Sequence, residues 1–311
     1  MDQKIPIWPA FLLDFPIQVL YWYLMNTAHT EILVGVDGGG TACRFALTHA
    51  GARVEHRAGP ANVYSDFRAA LETLTGGLTA LTAKAGLSDL KDARIYLGLA
   101  GVTGARMAEE VAAALPYRNV TVADDRLTAV TGALGGRDGT VIGVGTGSFL
   151  ARKAGGRVAL MGGWGFALGD EASGAWMGRR LLQYVLHVAD GLAPATVLTE
   201  TALQKFGGTP AGVVEFAREA SPARFAAHAP DIFEAARAGD AAASAIMEDG
   251  AAYIQRGLEA LGWQPGETLC PLGGLAPHYA AFLPAEVAVS FAKPAGSALD
   301  GALALAAEAR P

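Results

Sequence analysis

The sequence has few of the features that mark nucleic-acid-binding, disulfide-rich or zinc-binding proteins. Only 17% of its 311 residues are charged and the net charge is −6, which provides no basic surface for nucleic acid. Its two cysteines, Cys43 and Cys270, lie far apart and form no CxxC pair, so neither a disulfide framework nor a zinc site is indicated. Both lie in apolar runs and are expected to be buried free thiols. We therefore expect a cytoplasmic enzyme with no nucleic-acid partner.

The sequence also lacks a clear membrane-spanning or secretory segment. The aromatic and apolar segment Ile5–Met25 is interrupted by three prolines and by Asp14, whereas a spanning helix needs about 20 largely uninterrupted apolar residues. It has neither the basic start nor the small-residue cleavage site of a secretory signal. We interpret residues 1–30 as an N-terminal extension, disordered or loosely packed, and expect no membrane association.

From Glu31 onward, strand and helix patterns alternate in the manner of an α/β protein. Three strand-like runs come first, then a helix with apolar residues at helical spacing, then two further strand–helix pairs. Ser65 or Asp66 is suited to cap the first helix. The predicted strands are 32–37, 43–48, 53–58, 94–99 and 120–123, and the predicted helices are 66–85, 105–115 and 127–134.

A similar order of elements then begins again. Three more strands are predicted at 140–144, 149–153 and 158–161, followed by a helical region at 171–261 that four prolines interrupt. Strands at 268–272 and 287–289 and a helix at 298–307 end the pattern. We predict a duplicated α/β fold with domains at 31–134 and 135–311, extra helices in the second domain, and a last helix that packs back on the first. Such a fold binds its ligand in a central cleft between the halves.

A run of three glycines separates the first two predicted strands. A strand follows this turn, whereas a helix follows a dinucleotide-binding GxGxxG, and the phosphate loop GxxxxGK[ST] is absent. Glycine amides approach phosphate oxygens closely, and a carboxylate beside them can hold Mg²⁺ through water. A plain tight hairpin is the alternative interpretation. The candidate phosphate-binding residues are Asp37, Gly38, Gly39, Gly40, Thr41 and Arg44, with Asp37 also the candidate metal ligand.

Two further glycine motifs extend this hypothesis. The sequence GTGS at 145–148 opens the second half as DGGGT opens the first, and two facing turns would clamp a triphosphate from both sides. The sequence GGL at 273–275 would let an adenine ring stack on glycine backbone, although a simple strand-to-helix turn is equally compatible. The residues assigned to nucleotide binding here are Gly145, Thr146, Gly147, Gly273 and Gly274.

Asp125 is the candidate general base. It follows a predicted strand, and a carboxylate at the carboxyl end of such a strand faces the cleft of an open α/β sheet. Within reach of a hydroxyl, it would accept the proton during phosphoryl transfer. The alternative is a helix N-cap, for which either Asp124 or Asp125 is suited.

Three other residues are candidate substrate ligands. The loop GGWGFALGDEASG at 162–174 contains Asp170, which would either accept hydrogen bonds from sugar hydroxyls or cap the next helix. Trp164 in the same loop would shape the pocket. Asn62 would either form a turn or bind a sugar hydroxyl.

These motifs together resemble the N-acetylglucosamine kinase and bacterial glucosamine kinase branch of the actin-like ATPase superfamily, which belongs to the BadF/BadG/BcrA/BcrD-type ATPases. The resemblance covers about residues 32–307, and the loop at 162–174 is its most branch-specific part. It implies ATP, Mg²⁺ and an amino sugar that is phosphorylated on its 6-hydroxyl, with Asp125 as catalytic base. We also expect a homodimer. The implied sugar contacts are Asn62, Ala100, Gly101, Asp125 and Asp170.

Phe149 departs from the pattern of this branch. N-acetylglucosamine kinases commonly have Asn directly after GTGS, where it contacts the sugar, and this sequence has Phe149 there. Segments such as GPAN, LGLAG and ADDR resemble bacterial glucosamine kinases more closely. We therefore favour glucosamine as the substrate, with N-acetylglucosamine as the alternative.

Two other functional classes share this fold. One is the ATPase activator of acyl-CoA reductases or dehydratases, which holds an iron–sulfur cluster between subunits with two cysteines from each, and neither Cys43 nor Cys270 is well placed for that. The other is a non-catalytic sugar-sensing regulator. It would need a basic DNA-binding segment, which residues 1–30 do not supply.

Overall fold

The computed structural model describes residues 31–309. The extension expected at residues 1–30 lies outside this range. Within the described range, no helix combines the length and the apolar character that crossing a membrane requires.

The first half is a mixed sheet flanked by helices. Among the described residues, its strand order is β3-β2-β1-β4-β5, with β1 antiparallel to β2 and parallel to β4. Asp66, one of the two cap candidates, caps the first helix by accepting a hydrogen bond from the Ala69 amide at 3.0 Å. The elements are β1 Leu33–Gly38, β2 Cys43–His49, β3 Ala52–Ala58, α1 Phe67–Lys84, β4 Arg94–Leu99, α2 Ala105–Ala113, β5 Asn119–Asp124 and α3 Asp125–Leu134.

The second half repeats this opening and adds helices. Its described strands have the order β8-β7-β6-β9, and β6 pairs antiparallel with β7 and parallel with β9. The strands are β6 Gly139–Val144, β7 Ser148–Ala154, β8 Arg157–Gly162 and β9 Leu269–Leu272. The helices between β8 and β9 are α4 Gly174–Ala189, α5 Val197–Gln204, α6 Pro210–Glu219, α7 Pro222–Ala226, α8 Ala229–Arg237 and α9 Ala241–Ala260. After β9 come a 3-10 helix Ala276–Ala281, α10 Ala285–Ala288 and α11 Ala298–Glu308.

The strand predicted at 287–289 is wrong. Residues 285–288 form the short helix α10, which Pro284 precedes. Val287 is buried while Val289 is 82% exposed, although a strand would place residues two apart on the same face. The chain returns to the sheet only at Phe291, through a single bridge to Leu269.

Each half has its own hydrophobic core. Phe45, Leu74 and Leu97 are fully buried between the first sheet and its helices, and Met247 and Tyr279 are fully buried in the second half. The repeated antiparallel triple of strands, with a further strand added in parallel to its inner member, confirms the predicted duplicated actin-like ATPase fold.

The last helix packs back on the first half. α11 packs on α3 and on β1 of the first sheet. The crossing with α3 is close because a Cβ atom on Gly301 would overlap the Thr128 carbonyl oxygen, and one on Gly132 would overlap the Ser297 carbonyl oxygen. Arg94 fixes the end of α11 by donating hydrogen bonds to the carbonyl oxygens of Ala307 and Ala309. Glycine at this crossing therefore lets the last helix pack closely on the first half.

Candidate active site

A cleft of about 970 Å³ lies between the two halves, where the ends of the central strands and the loops that follow them converge. The cleft is lined by groups of both signs and by apolar side chains. Among the candidate residues, the cleft is lined by Asp37, Arg44, Asn62, Ala100, Gly101, Asp125, Gly147, Phe149, Trp164 and Asp170. The other candidates are adjacent glycines and threonines of the three turns and lie outside this lining: Gly38, Gly39, Gly40, Thr41, Gly145, Thr146, Gly273 and Gly274.

Asp37 lies near the end of β1 and is only 6% exposed. It forms an ion pair with the guanidinium of Arg44, which is itself largely exposed. The ion pair is made by the buried Oδ2 atom of Asp37, which has no other polar partner among residues 31–309. Burial raises the pKa of this carboxyl, and Arg44 opposes the rise. A buried carboxylate whose ion-pair partner is a largely exposed arginine is a suitable ligand for Mg²⁺, which needs only one or two carboxylates beside water and phosphate oxygens.

In the first turn (residues 38–41), different physical reasons account for glycine at different positions. A Cβ atom on Gly38 would overlap the buried Leu99 side chain, so packing favours glycine there. A Cβ atom on Gly40 would meet no described atom within 4 Å, and the Gly40 backbone is not left-handed. The hairpin is closed by a hydrogen bond from the Gly39 amide to the Ala42 carbonyl oxygen at 3.0 Å. Packing thus explains Gly38, whereas neither packing nor a left-handed backbone explains glycine at position 40.

The second turn (residues 145–148) is held by the start of α4. The Gly174 amide donates to the Gly145 carbonyl oxygen at 2.9 Å, and the Ala175 amide donates to the Thr146 carbonyl oxygen at 3.2 Å. A Cβ atom on Gly145 would again meet nothing within 4 Å in the described part of the chain. The Gly145 amide also donates to the Gly147 carbonyl oxygen at 2.9 Å, so the turn is fixed internally and by α4, with free space only on the Cβ side of Gly145.

The third turn contains Gly273 and Gly274, which also differ. Gly273 has a φ of +80°, and a Cβ atom there would overlap the Val144 carbonyl oxygen, so the fold itself requires glycine. Gly274 has no described neighbour within 4 Å of the Cβ position. The Leu275 amide donates to the Val144 carbonyl oxygen at 3.2 Å and fixes the third turn beside the second. The alternative of a simple structural turn accounts for Gly273 and leaves Gly274 unexplained.

The structure decides between Asp124 and Asp125 as the cap of α3. Asp124 is the N-cap, since its Oδ1 accepts the Arg126 amide hydrogen at 2.8 Å. Asp125 is the first residue of the helix and lines the cleft. Burial, together with the charges of Asp124 and Asp37, raises the pKa of Asp125 to about 7, although the nearby charge of Arg126 opposes the rise. A carboxyl with this pKa is well matched to general base chemistry near neutral pH.

Arg126 and Asp124 are site residues that the sequence interpretation missed. The Arg126 side chain donates to both carboxylate oxygens of Asp124, at 2.8 and 2.6 Å. It also donates to the Gly162 carbonyl oxygen at 2.8 Å and so joins the first half to the second. The sequence signal was the segment ADDR, in which a cation follows two carboxylates, but this segment does not reveal the bond from Arg126 to Gly162 of the second half.

Asp170 lies in the glycine-rich loop at residues 162–174, here named the carboxylate loop. Asp170 does not cap α4, because the cap is Ser173, which accepts a hydrogen bond from the Trp176 amide at 3.1 Å. The helix predicted to start at residue 171 therefore begins at Gly174. Asp170 is 8% exposed and accepts a hydrogen bond from the Gly165 amide at 3.3 Å. Burial raises its pKa, and backbone amide donors oppose the rise.

The remaining candidates form the walls of the cleft. Phe149 is half-buried and its ring lies against Gly143, so it forms an apolar wall. Trp164 stands at the rim and is 78% exposed. Asn62 accepts hydrogen bonds from the amides of Tyr64 and Ser65 at 3.0 and 3.1 Å, so it forms a turn and also lines the cleft.

The two cysteines lie in the interior. Cys43 and Cys270 are free and fully buried, and burial raises the pKa of both thiols. Neither thiol lies at the surface, where a cluster shared between subunits would need it. Their positions thus argue against the iron–sulfur activator alternative.

The chain is similar to known proteins over both halves. The sequence profile described as "BadF/BadG/BcrA/BcrD ATPase family" matches residues 34–290. A glucosamine kinase of Vibrio cholerae is 33% identical over 279 residues, which cover 88% of this chain and 95% of the relative. An N-acetyl-D-glucosamine kinase of Dictyostelium discoideum is 28% identical, and the match covers 71% of this chain and 76% of the relative. The crystal structure of a Chromobacterium violaceum protein, proposed to be an N-acetylglucosamine kinase, is 31% identical with a TM-score of 0.81 and covers 89% and 99% of the two chains.

Proposed function

The chain belongs to the BadF/BadG/BcrA/BcrD ATPase family, and from this premise we propose that it is an ATP-dependent amino-sugar kinase that phosphorylates the 6-hydroxyl of glucosamine. The observation that carries the proposal is the position of Asp125. Its carboxyl, with a pKa raised to about 7, lines the same cleft as Asp37 of the first half and Gly147 of the second glycine turn.

The reaction is an in-line phosphoryl transfer. Asp125 accepts the proton of the sugar 6-hydroxyl as that oxygen forms a bond to the γ-phosphorus of ATP. The bond between the γ-phosphorus and the bridging oxygen breaks, and ADP leaves with the electron pair. Most of the acceleration comes from positioning the two substrates and from stabilising the transferring group.

The phosphate chain lies across the first and second glycine turns in this proposal. Gly40 and Gly145 have free space at their Cβ positions among the described residues, which supports close approach of phosphate oxygens to the two turns, although the Gly145 amide itself donates to the Gly147 carbonyl oxygen. Asp37 would hold Mg²⁺, and when bound the metal supplies positive charge to the β- and γ-phosphate oxygens. Arg44, which is exposed beside Asp37, would exchange part of its ion pair for a phosphate contact.

Two features support glucosamine over N-acetylglucosamine. Phe149 presents an apolar wall where N-acetylglucosamine kinases commonly have an amide side chain. In addition, the two cleft arginines, Arg44 and Arg126, already pair with Asp37 and Asp124. Asp125 and Asp170 have no ion-pair partner in the described part of the chain, and their charge favours an ammonium group over a neutral acetamide. N-acetylglucosamine remains the second candidate, because the names of two of the relatives favour it.

Sugar-dependent ADP release tests the proposal. We expect turnover with glucosamine, less with N-acetylglucosamine, and none above background with glucose or N-acetylmannosamine. Asp125→Asn is the matched control, since it keeps the shape of the side chain and removes the base. Absence of turnover with every sugar would favour the sugar-sensing regulator, and iron-loaded brown protein would favour the activator.

A further inference from the structure

The carboxylate loop contains two non-glycine residues in the left-handed region. Asp170 has a φ of 58° and Ala172 a φ of 67°, and they flank Glu171. Side chains make this region costly, so such residues persist only where the surrounding structure holds them. Ala172 is fully buried and its side chain is a methyl group, which cannot make the local hydrogen bonds that allow Asp or Asn to adopt this conformation. Some other group must therefore hold Ala172 in place.

Two side-chain hydroxyls donate to consecutive carbonyl oxygens of this loop. Ser148 Oγ donates to the Glu171 carbonyl oxygen at 2.5 Å. The Tyr279 hydroxyl donates to the Ala172 carbonyl oxygen at 2.7 Å. Ser148 belongs to the second glycine turn, and Tyr279 belongs to the 3-10 helix that follows the third glycine turn. The backbone next to Asp170 is thus anchored by the two segments assigned above to the nucleotide.

The surrounding residues fix the position of Tyr279. It is 0% exposed, and a Cβ atom on Gly250 of α9 would overlap its hydroxyl, so that glycine makes room for the group. A buried tyrosine hydroxyl needs a partner, and here that partner is the carbonyl oxygen of the strained residue. Phenylalanine at position 279 would fill the same space and leave that carbonyl oxygen without its donor.

We propose that Tyr279 is a positioning residue, which holds Ala172 in its left-handed conformation and thereby fixes the carboxylate of Asp170 toward the cleft. The part of this inference that concerns the sugar rests on the proposed function, because there Asp170 is a sugar ligand. Tyr279 does not line the cleft, so it acts through the loop. The consequence is a rigid link between the nucleotide side and the sugar side of the cleft.

Tyr279→Phe is expected to act mainly on sugar binding. Without its donor, Ala172 relaxes toward an ordinary backbone conformation and carries Asp170 with it. We expect the KM for the sugar to rise about tenfold, as for the loss of one buried hydrogen bond. The kcat and the KM for ATP are expected to stay within about twofold, because the loss falls on ground-state sugar contacts.

Ala172→Gly provides the rescue. Glycine adopts a positive φ without steric cost, so the loop keeps its shape even when the hydroxyl is absent. We expect the double variant Tyr279→Phe/Ala172→Gly to return the KM for the sugar to within about threefold of wild type. Tyr96→Phe is the matched control, because Tyr96 is a buried tyrosine in β4 of the first half, and it is expected to leave the KM unchanged.

The experiment measures steady-state kinetics and thermal unfolding for these variants. A raised KM for the sugar in Tyr279→Phe that Ala172→Gly rescues supports the proposal. An unchanged KM with a lowered Tm, or a raised KM that the second change does not rescue, would overturn it.

Thermal unfolding tests the role of Tyr279 independently of the kinase assignment. If wild-type protein turns over no sugar, the coupling between positions 279 and 172 is still measured by Tm. We expect Tyr279→Phe to lower Tm by about 2–4 °C, and by less than half as much in the Ala172→Gly background. Equal shifts in both backgrounds would show that Tyr279 does not hold Ala172.

Discussion

Replacing Asp125 by Asn is expected to remove most of the turnover while making the folded protein more stable. The first effect follows from loss of the base, and general acid–base groups contribute about 10²–10⁴-fold to rate. The second effect follows from burial, because the folded protein raises the pKa of this carboxyl from 3.8 to about 7. The ionised form of Asp125 therefore destabilises the folded protein, and the neutral amide of asparagine does not.

The size and sign of the stability effect follow from this pKa shift. One pKa unit corresponds to about 1.4 kcal/mol, so a rise of roughly three units costs at most ~4 kcal/mol. Water in the cleft reduces the cost, and the N-terminus of α3 offsets ~0.3–1 kcal/mol of it, which leaves a net gain for Asn of about 2 kcal/mol. Between pH 4 and 7 the folded protein binds more protons at Asp125 than the unfolded chain, so the contribution of Asp125 to stability falls as pH rises through 7.

Urea unfolding of wild type and variant at pH 4.5 and pH 8 measures this difference. We expect little gain at pH 4.5 and the full gain at pH 8. Asp124→Asn is the control, because Asp124 caps α3 and pairs with Arg126, and its replacement should lower stability at both pH values. An Asp125→Asn variant that is no more stable at pH 8 than wild type would refute the burial argument, and near-wild-type turnover would refute the base assignment.

Three further outcomes are expected. In pH–rate measurements, kcat/KM falls about tenfold per unit as pH drops below 7, since protonated Asp125 cannot accept a proton. In substrate competition, Phe149→Asn shifts the ratio of kcat/KM values toward N-acetylglucosamine by about tenfold, the usual value of one well-placed polar contact. In urea unfolding, Gly301→Ala lowers stability by about 1–3 kcal/mol, because its Cβ atom overlaps the Thr128 carbonyl oxygen. Gly40→Ala leaves stability within about 0.5 kcal/mol of wild type, but it raises the KM for ATP in steady-state kinetics.

Each of these outcomes has a result that contradicts it. A flat pH–rate profile between pH 5 and 8 would argue against Asp125 as the titrating base. An unchanged substrate ratio in Phe149→Asn would mean that this position does not select the sugar. Equal unfolding curves for the two glycine variants would show that the α3–α11 contact is not tightly packed.

The regular elements could be predicted from the sequence because their signals are local. β4 was predicted at residues 94–99 and occupies Arg94–Leu99, and the second strand triple was recognised from a repeated apolar pattern. The strand predicted at 287–289 failed because a short apolar run does not by itself distinguish a strand from a helical turn. Here the preceding proline and the burial of Val287 decided for the helix.

The site was predicted in residue type more than in detail. From the sequence, Asp124 and Asp125 are equally suited to cap α3, since the side chain of either could accept a hydrogen bond from a free amide at the start of that helix. Only the three-dimensional pairing of Asp124 with Arg126 leaves Asp125 facing the cleft. The bond from Arg126 to the Gly162 carbonyl oxygen joins residues 36 positions apart, and no local pattern encodes a contact at that separation. The left-handed conformations of Asp170 and Ala172 were missed because non-glycine residues rarely adopt them.

The central claim is that this cleft transfers the γ-phosphoryl group of ATP to the 6-hydroxyl of an amino sugar. The most direct measurement is the two-dimensional proton–phosphorus NMR spectrum of the product formed from glucosamine and ATP. The account predicts one phosphorus signal coupled to the two protons on carbon 6, formed at the same rate as ADP. Phosphate coupled to the proton on carbon 1, or ADP formed with free phosphate and unmodified sugar, would contradict it.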